Sequence, residues 1–317
     1  MTTFSDMVYQ LGGAPAIAGV PVGGKAKYYF VDTVNGSDTN PGTSPQMAKK
    51  SLEAAEDLCV ANQHDTVFFI SGATADNPTA SITWDKSYTH LIGLNCPLPG
   101  VGQRCRVVMK AATAVTPVMT ISGNGCVFKN IQFMQEKATG AASGAVIVSG
   151  NRNYFEGCFF ATPTSATAAS YSLKVTSDEN AFVRCTIGQH TNVRSAATYG
   201  LWIAGADSSR NKFIDCEFLS WATGGGTAHV LVLNDAAVTC EVSTVQFENC
   251  LFNNIGPATL AVAVDDNCAT TDHQIIFRGR DNLITGCTAV ADPLTYTLAP
   301  DADDAVSGLL AIAVVES

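Results

Sequence analysis

Three pairs of carboxylates lie close enough along the chain to act together: Asp32 with Asp38, Asp215 with Glu217, and Asp265 with Asp266. Asp215 and Glu217, two residues apart beside a corner, could serve as acid and base on a glycosidic bond. Matching positions in the neighbouring repeats vary freely, which points instead to a solvated corner. The stretch from Asp32 to Thr43 is rich in oxygen donors, but an EF-hand needs Glu at its twelfth place, where Thr43 stands. Turn closure by Asp and Asn is its expected use. Arg184, Arg194 and Arg210 have no acidic cluster beside them in the repeat register, and the histidines (His64, His90, His190, His229, His273) are scattered. Nucleophile elbow, phosphate loop, Cys-x-x-Cys pair and cysteine–histidine cluster are all missing. The sequence therefore assigns no catalytic, cofactor-binding or metal-binding residue, and the chain is expected not to be an enzyme.

Any chemistry must be positioned by a repeating frame. Phe128-x-x-Ile131-x-Phe133 is echoed by Phe155-x-x-Cys158-x-Phe160, Phe182-x-x-Cys185-x-Ile187, Phe213-x-x-Cys216-x-Phe218 and Phe247-x-x-Cys250-x-Phe252. The leading Phe recurs after 27, 27, 31 and 34 residues. An apolar pair with period 2 precedes each copy: Met119/Ile121, Val146/Val148, Leu173/Val175, Leu201/Ile203 and Val230/Val232. A period of this size marks stacked units that bury their apolar faces only against their neighbours. Period-2 spacing within each unit demands strands. The result is a parallel β-helix. Asn130, Gly157, Arg184, Asp215 and Asn249 occupy the third motif position, where Gly, Asn and Asp accept a left-handed turn. A sharp corner is expected there, with Arg184 the exception to the residue rule.

If the apolar pairs face inward, the residue between each pair faces out. That row reads Thr120, Ile147, Lys174, Trp202, Leu231. Ile147, Trp202 and Leu231 would form an apolar column that a monomer rarely leaves in water. A subunit interface anchored by Trp202 and an aromatic platform for sugar rings compete as explanations. Ile147 and Leu231 offer only apolar surface, which favours the interface.

Charged residues are 15% and hydrophobic ones 46% of the 317 residues, against roughly 25% charged in an ordinary soluble domain. Net charge is −10, which excludes a broad phosphate-binding surface and argues against nucleic acid and anionic membranes as partners. The eleven cysteines are an odd number; Cys158, Cys185, Cys216 and Cys250 should form a buried column of small hydrophobes. Coils about 4.8 Å apart would allow disulfides, yet the odd count and the lack of an export signal favour free thiols. Met1 to Asp6 carries no basic residue, and Leu309 to Val315 is too short to span a bilayer.

Residues 1–27, rich in Gly, Ala, Pro and Val, read as an extended arm that orders against a partner. Residues 28–63 read as a strand, a dense turn cluster and a helix over about 47–61 that caps the first coil. The solenoid follows over 64–290, with a tail or cap over 291–317. Tyr28-Tyr-Phe-Val-Asp32, the turn residues to Thr43 and the helix after them resemble the opening of pectate-lyase-like right-handed β-helix proteins, a form common among bacteriophage structural proteins. Leu91-Ile-Gly-Leu-Asn95 and the corners Ile121-Ser-Gly-Asn124 and Val148-Ser-Gly-Asn151 fit the same group. The resemblance implies an all-β, single-stranded right-handed parallel β-helix with an N-terminal capping α-helix, frequent homotrimers and virion roles. Enzymes of that family use calcium held by carboxylates with an Arg base, and phage depolymerases use paired acids.

With no site assigned, the expected function is a non-enzymatic phage virion protein, a homotrimer that decorates or cements the capsid. Its arm and tail would contact the major capsid protein or other virion proteins, without nucleic acid, membrane or cofactor. The alternative is a tail-spike-like protein that binds or cleaves polysaccharide.

Overall fold

In a computed structural model the repeats become successive coils of one β-helix. The structure describes residues 8–298 except 12–13, 18–19, 22–23, 71, 95–104, 112–115, 137–141, 163–169, 190, 192, 195–197, 206–207, 225–227, 234–243, 268–273, 279–281 and 292–296. Three parallel sheets form the walls. Sheet 1 has eight strands from Ile82–Trp84 to Cys287–Ala291, sheet 2 ten from Tyr28–Asp32 to Thr297–Leu298, and sheet 3 seven from Arg106–Met109 to Leu283–Thr285. Each coil visits them in that order, as in Gly144–Val148, Tyr154–Glu156 and Phe159–Ala161.

Register follows the motif. Phe128, Phe155, Phe182, Phe213 and Phe247 pair in line along sheet 2, each with no exposed surface. Their rings stack with centroids 5.0, 4.6, 4.7 and 5.3 Å apart, and Phe277 extends the column at 5.5 Å. Burying each ring contributes about 1.5–3 kcal/mol, so this column dominates the core. Asn130, Gly157, Arg184, Asp215 and Asn249 all take positive φ, between 50° and 62°, at the corner from sheet 2 to sheet 3. Arg184 adopts the same left-handed turn as the rest, at a cost of roughly 1 kcal/mol.

The cysteine column is present, and among the described residues Cys59, Cys105, Cys126, Cys158, Cys185, Cys216, Cys250 and Cys287 are all free. Cys158, Cys216 and Cys250 donate S–H to the carbonyls of Phe128, Phe182 and Phe213 on the preceding coil. Burial, with the sulfurs of Cys158 and Cys216 alongside, raises the Cys185 thiol well above its ordinary range. Cys96, Cys240 and Cys268 lie outside the described residues.

A second ladder runs through the corner from sheet 1 to sheet 2. Cys126 donates its N–H to Asn153 Oδ1, Asn153 to Asn180, and Asn180 to Asn211, at 2.8, 2.9 and 2.9 Å. These three asparagines are at most 1% exposed. Each satisfies a backbone donor that would otherwise be stranded between coils.

The cap is shorter than expected. Instead of one helix over 47–61 there is a 3-10 turn at Pro45–Met47 and a helix at Leu52–Glu56, whose first turn is closed by Ser51. Strand pairing wins between them, because Lys49 donates to Phe30 O and accepts from Asp32 N. Leu52, Ala55 and Cys59 still cover Tyr29 and Val67 of the first coils. The leader is not simply extended: Val8–Leu11, Ala14–Ile17 and Val20–Pro21 form a small antiparallel sheet. Of the tail, Thr297–Leu298 adds a parallel strand to sheet 2, and its acidic and apolar runs fall outside the described residues.

Two measurements test this packing. Asn180→Ala strands the Asn153 N–H and removes a donor to Ser177 and Asn211. The unfolding free energy should fall by about 1–3 kcal/mol, read as a lower denaturant midpoint at unchanged slope. His90 is fully buried; its Nδ1 accepts the Val127 N–H, so Nε2 carries the proton 3.1 Å from His64 Nδ1. Burial and then His64 push its pKa from 6.5 down to about 3. Below about 6.5 the unfolded chain takes up a proton that the folded chain refuses, so acidification from there destabilises the fold. His90→Phe should make that decline shallower in midpoints measured across the acid range.

Candidate functional site

The outward row of sheet 1 is where the apolar pairs place it. Strand pairing aligns Thr120, Ile147, Lys174, Trp202, Leu231 and Asp265, one per coil. Leu231 is only 4% exposed, whereas the other five are half-buried. Lys174 sets its ammonium 3.9 Å from the centre of the Trp202 ring, a close cation–π contact. Tyr171 stands edge-on to Trp202 with centroids 5.7 Å apart and lies 6.0 Å from the same ammonium. Burial pushes the Tyr171 hydroxyl up to about 12, so it stays a neutral donor. Among the described residues Trp202 Nε1, itself buried, finds no hydrogen-bond acceptor.

Tyr171 was not visible in the period-2 pattern. Ser172 and Leu173 are both buried, so two consecutive residues turn inward and Tyr171 joins Lys174 on the outer wall. The same step recurs at Ala145/Val146 and His229/Val230. Repeated pairs of adjacent buried positions ahead of each outward residue carried this signal.

The outer wall of sheet 2 holds a different group. Glu156 lies 2.9 Å from Lys129, pairs with Arg184, and accepts from the Tyr154 hydroxyl at 3.3 Å. Burial alone would raise the Glu156 carboxyl, but hydrogen bonds from Lys129 and Arg184 outweigh it and hold its pKa low. Burial and then Glu156 push Tyr154 to about 12. Above it, a hollow of about 420 Å³ is lined by Glu179, Arg210, Lys212, Thr244 and Gln246. Arg152 and Arg210 flank Glu179 at 2.5 and 3.0 Å. Arg184 and Arg210 thus do have acidic neighbours, against the sequence reading. Arg152, Glu179 and Arg210 all have positive φ, and their shared corner brings them into line from one coil to the next. These charges largely satisfy one another, which leaves little for a ligand.

The paired carboxylates have their own separate partners or positions. Asp215 is a corner residue whose N–H bonds Glu248 O, while Glu217 opens a sheet 3 strand and accepts weakly from Thr186. Asp32 accepts from Val34, Asn35 and the Asn35 amide, and Asp38 from Lys50 and Ser51, both closing turns as expected. Burial would raise the Asp32 carboxyl, yet the bonds from Asn35 and Val34 lower its pKa. Asp265 stands in the Trp202 row, and the Asp266 side chain lies outside the described residues. Among the described residues, no group of three or more His, Cys, Asp or Glu is arranged to hold a metal.

No protein-family model and no curated protein sequence matches the chain. Solved structures do. The pectin methylesterase of Aspergillus niger superimposes with a TM-score of 0.54 at 12% identity, covering 88% of this chain and 85% of that one. Pectate lyase Pel9A gives 0.50 at 13% identity over 86% and 80%. Pectin methylesterase PemA from Erwinia chrysanthemi gives 0.50 at 11% over 85% and 92%. The expectation that the chain is not an enzyme runs against these likenesses, since the matched proteins are pectin methylesterases and a pectate lyase. At such identity the likeness itself carries the fold, and the fold is that of a pectate-lyase-like right-handed parallel β-helix.

Proposed function

We propose that this protein acts on a polysaccharide, which it holds as an extended chain along the outward face of sheet 1. The observation that carries this reading is the cluster of Tyr171, Lys174 and Trp202 on one outer wall. Aromatic rings offer an apolar surface for the C–H face of a sugar, and an ammonium among them selects sugars bearing carboxylates. The row climbs about 4.8 Å per coil, so a polymer lying along it meets Lys174, Trp202, Leu231 and Asp265 in turn. Asp265 is the carboxylate in that row, and proton exchange with the bound chain is assigned to it as part of this reading.

Ile147, Trp202 and Leu231 then serve the polymer more than a second subunit. Leu231 is almost wholly covered and Lys174 lies over Trp202, so the continuous apolar column shrinks to isolated patches. The shell-cement role gives way to the tail-spike role, in which a homotrimer of such chains grips a bacterial surface polysaccharide.

The test is incubation with pectin, polygalacturonate and purified capsular polysaccharides, reading unsaturated ends, reducing ends and released methanol. One of these products is expected from at least one polymer. Asp265→Asn should abolish product release while binding persists, and Trp202→Ala should weaken binding about tenfold, equivalent to about 1.4 kcal/mol. Neither product nor binding with any polymer would overturn the proposal.

A further inference from the structure

Among the described residues Arg194 is buried without a countercharge. It is 8% exposed, in the connection that leads from sheet 3 back to sheet 1. Nη2 donates to the Ala228 carbonyl, and Nε has no partner among the described residues. Among the described residues the titratable groups that face it are Tyr199, Cys287 and His229, and none is a carboxylate. Burial lowers its pKa only to about 10, so the guanidinium remains charged at neutral pH. A lone buried charge is strongly unfavourable, and folded proteins pair such groups almost without exception.

Arg194 lines a cavity of about 30 Å³. The other walls come from Ser172, Thr198, Tyr199, Gln189 and Ser220, among others, and none of the described lining residues is Asp or Glu. Ser220 gives its hydroxyl to Asn254 and Gln189 its amide N–H to the Thr162 carbonyl, so the donors on offer are the hydroxyls of Ser172 and Thr198. Ser172 Oγ already accepts from the Thr162 N–H, which leaves its own proton to give. Gln189 Oε1 is taken by Thr191, and Thr198 brings a further hydroxyl. A cavity needs roughly 10–15 Å³ to hold one water, so this one takes one or two atoms of that size. A polyatomic oxyanion with its own hydrogen-bond shell does not fit.

A positive charge, hydroxyl donors and room for one or two heavy atoms together describe a small-anion site. We propose that this cavity holds a single small monatomic anion of the halide class, chloride in physiological salt, as the countercharge to Arg194. The ion would tie Arg194 and Thr198 to Ser172 on the inner side of sheet 1. It would sit beneath Tyr171 and Tyr199, which line the same cavity. Because the ion binds the folded chain only, its stabilising effect grows with its concentration.

The test uses the intact chain. Thermal unfolding is measured in sodium chloride, sodium bromide and sodium gluconate at equal ionic strength, gluconate being too large for the cavity. Tm should be higher in both halides by roughly 2–4 °C. The difference should vanish in Arg194→Met, which keeps the stem and removes the charge, and shrink in Thr198→Val. Should Arg194→Met fail to fold, crystals of the unaltered chain grown in bromide decide the matter. An anomalous bromine peak within hydrogen-bond distance of the Arg194 guanidinium supports the site. Equal Tm in halide and gluconate, a halide effect that survives Arg194→Met, or a cavity without bromine overturns it.

Discussion

The spacing between coils governs this molecule. In-register parallel strands lie about 4.8 Å apart, so whatever occupies one position meets its own counterpart above and below. Like therefore stacks on like, and each position must be filled by a group that tolerates its own kind as neighbour. Phe does so by ring stacking, Cys by donating S–H to a carbonyl one coil back, and Asn by accepting a backbone N–H while donating its amide. Charged residues tolerate it only by alternating in sign, as Arg152, Glu179 and Arg210 do. The low charge content follows from this rule as much as from strand preference.

Much of the fold was legible because the rule writes itself into the sequence. The Phe motif and the apolar pairs gave register to the residue, and the five motif corners from sheet 2 to sheet 3 proved left-handed. Parts that depend on non-repeating contacts were not legible. Residues 48–51 have a helix-compatible composition, yet Lys49 is claimed by the edge of the first strand and the helix begins only at Leu52. The leader's three short strands were hidden because Gly- and Ala-rich sequence shows no hydrophobic period.

The candidate site was half legible for a related reason. Trp202 and Lys174 fell out of the alternation, but Tyr171 reached the same wall only through an inward double step that strict alternation forbids. Adjacent corner residues such as Arg210 and Glu179 were missed since their pairing depends on positive φ, which composition signals only for Gly, Asn and Asp. Arg194 looked like one more scattered cation, and only burial shows it to be a problem the fold must solve.

The single-residue corner between sheets 2 and 3 has a wider consequence. From the first Phe to the last position of each motif the length never changes, although whole coils grow from 27 to 34 residues. All growth is forced into the other two edges, and those edges flank sheet 1. One rim of the solenoid is thus locked in length while the two borders of the Trp202 wall are free to lengthen or shorten. The groove over that wall can be reshaped by insertion, coil by coil, without disturbing a single stacked ring beneath it.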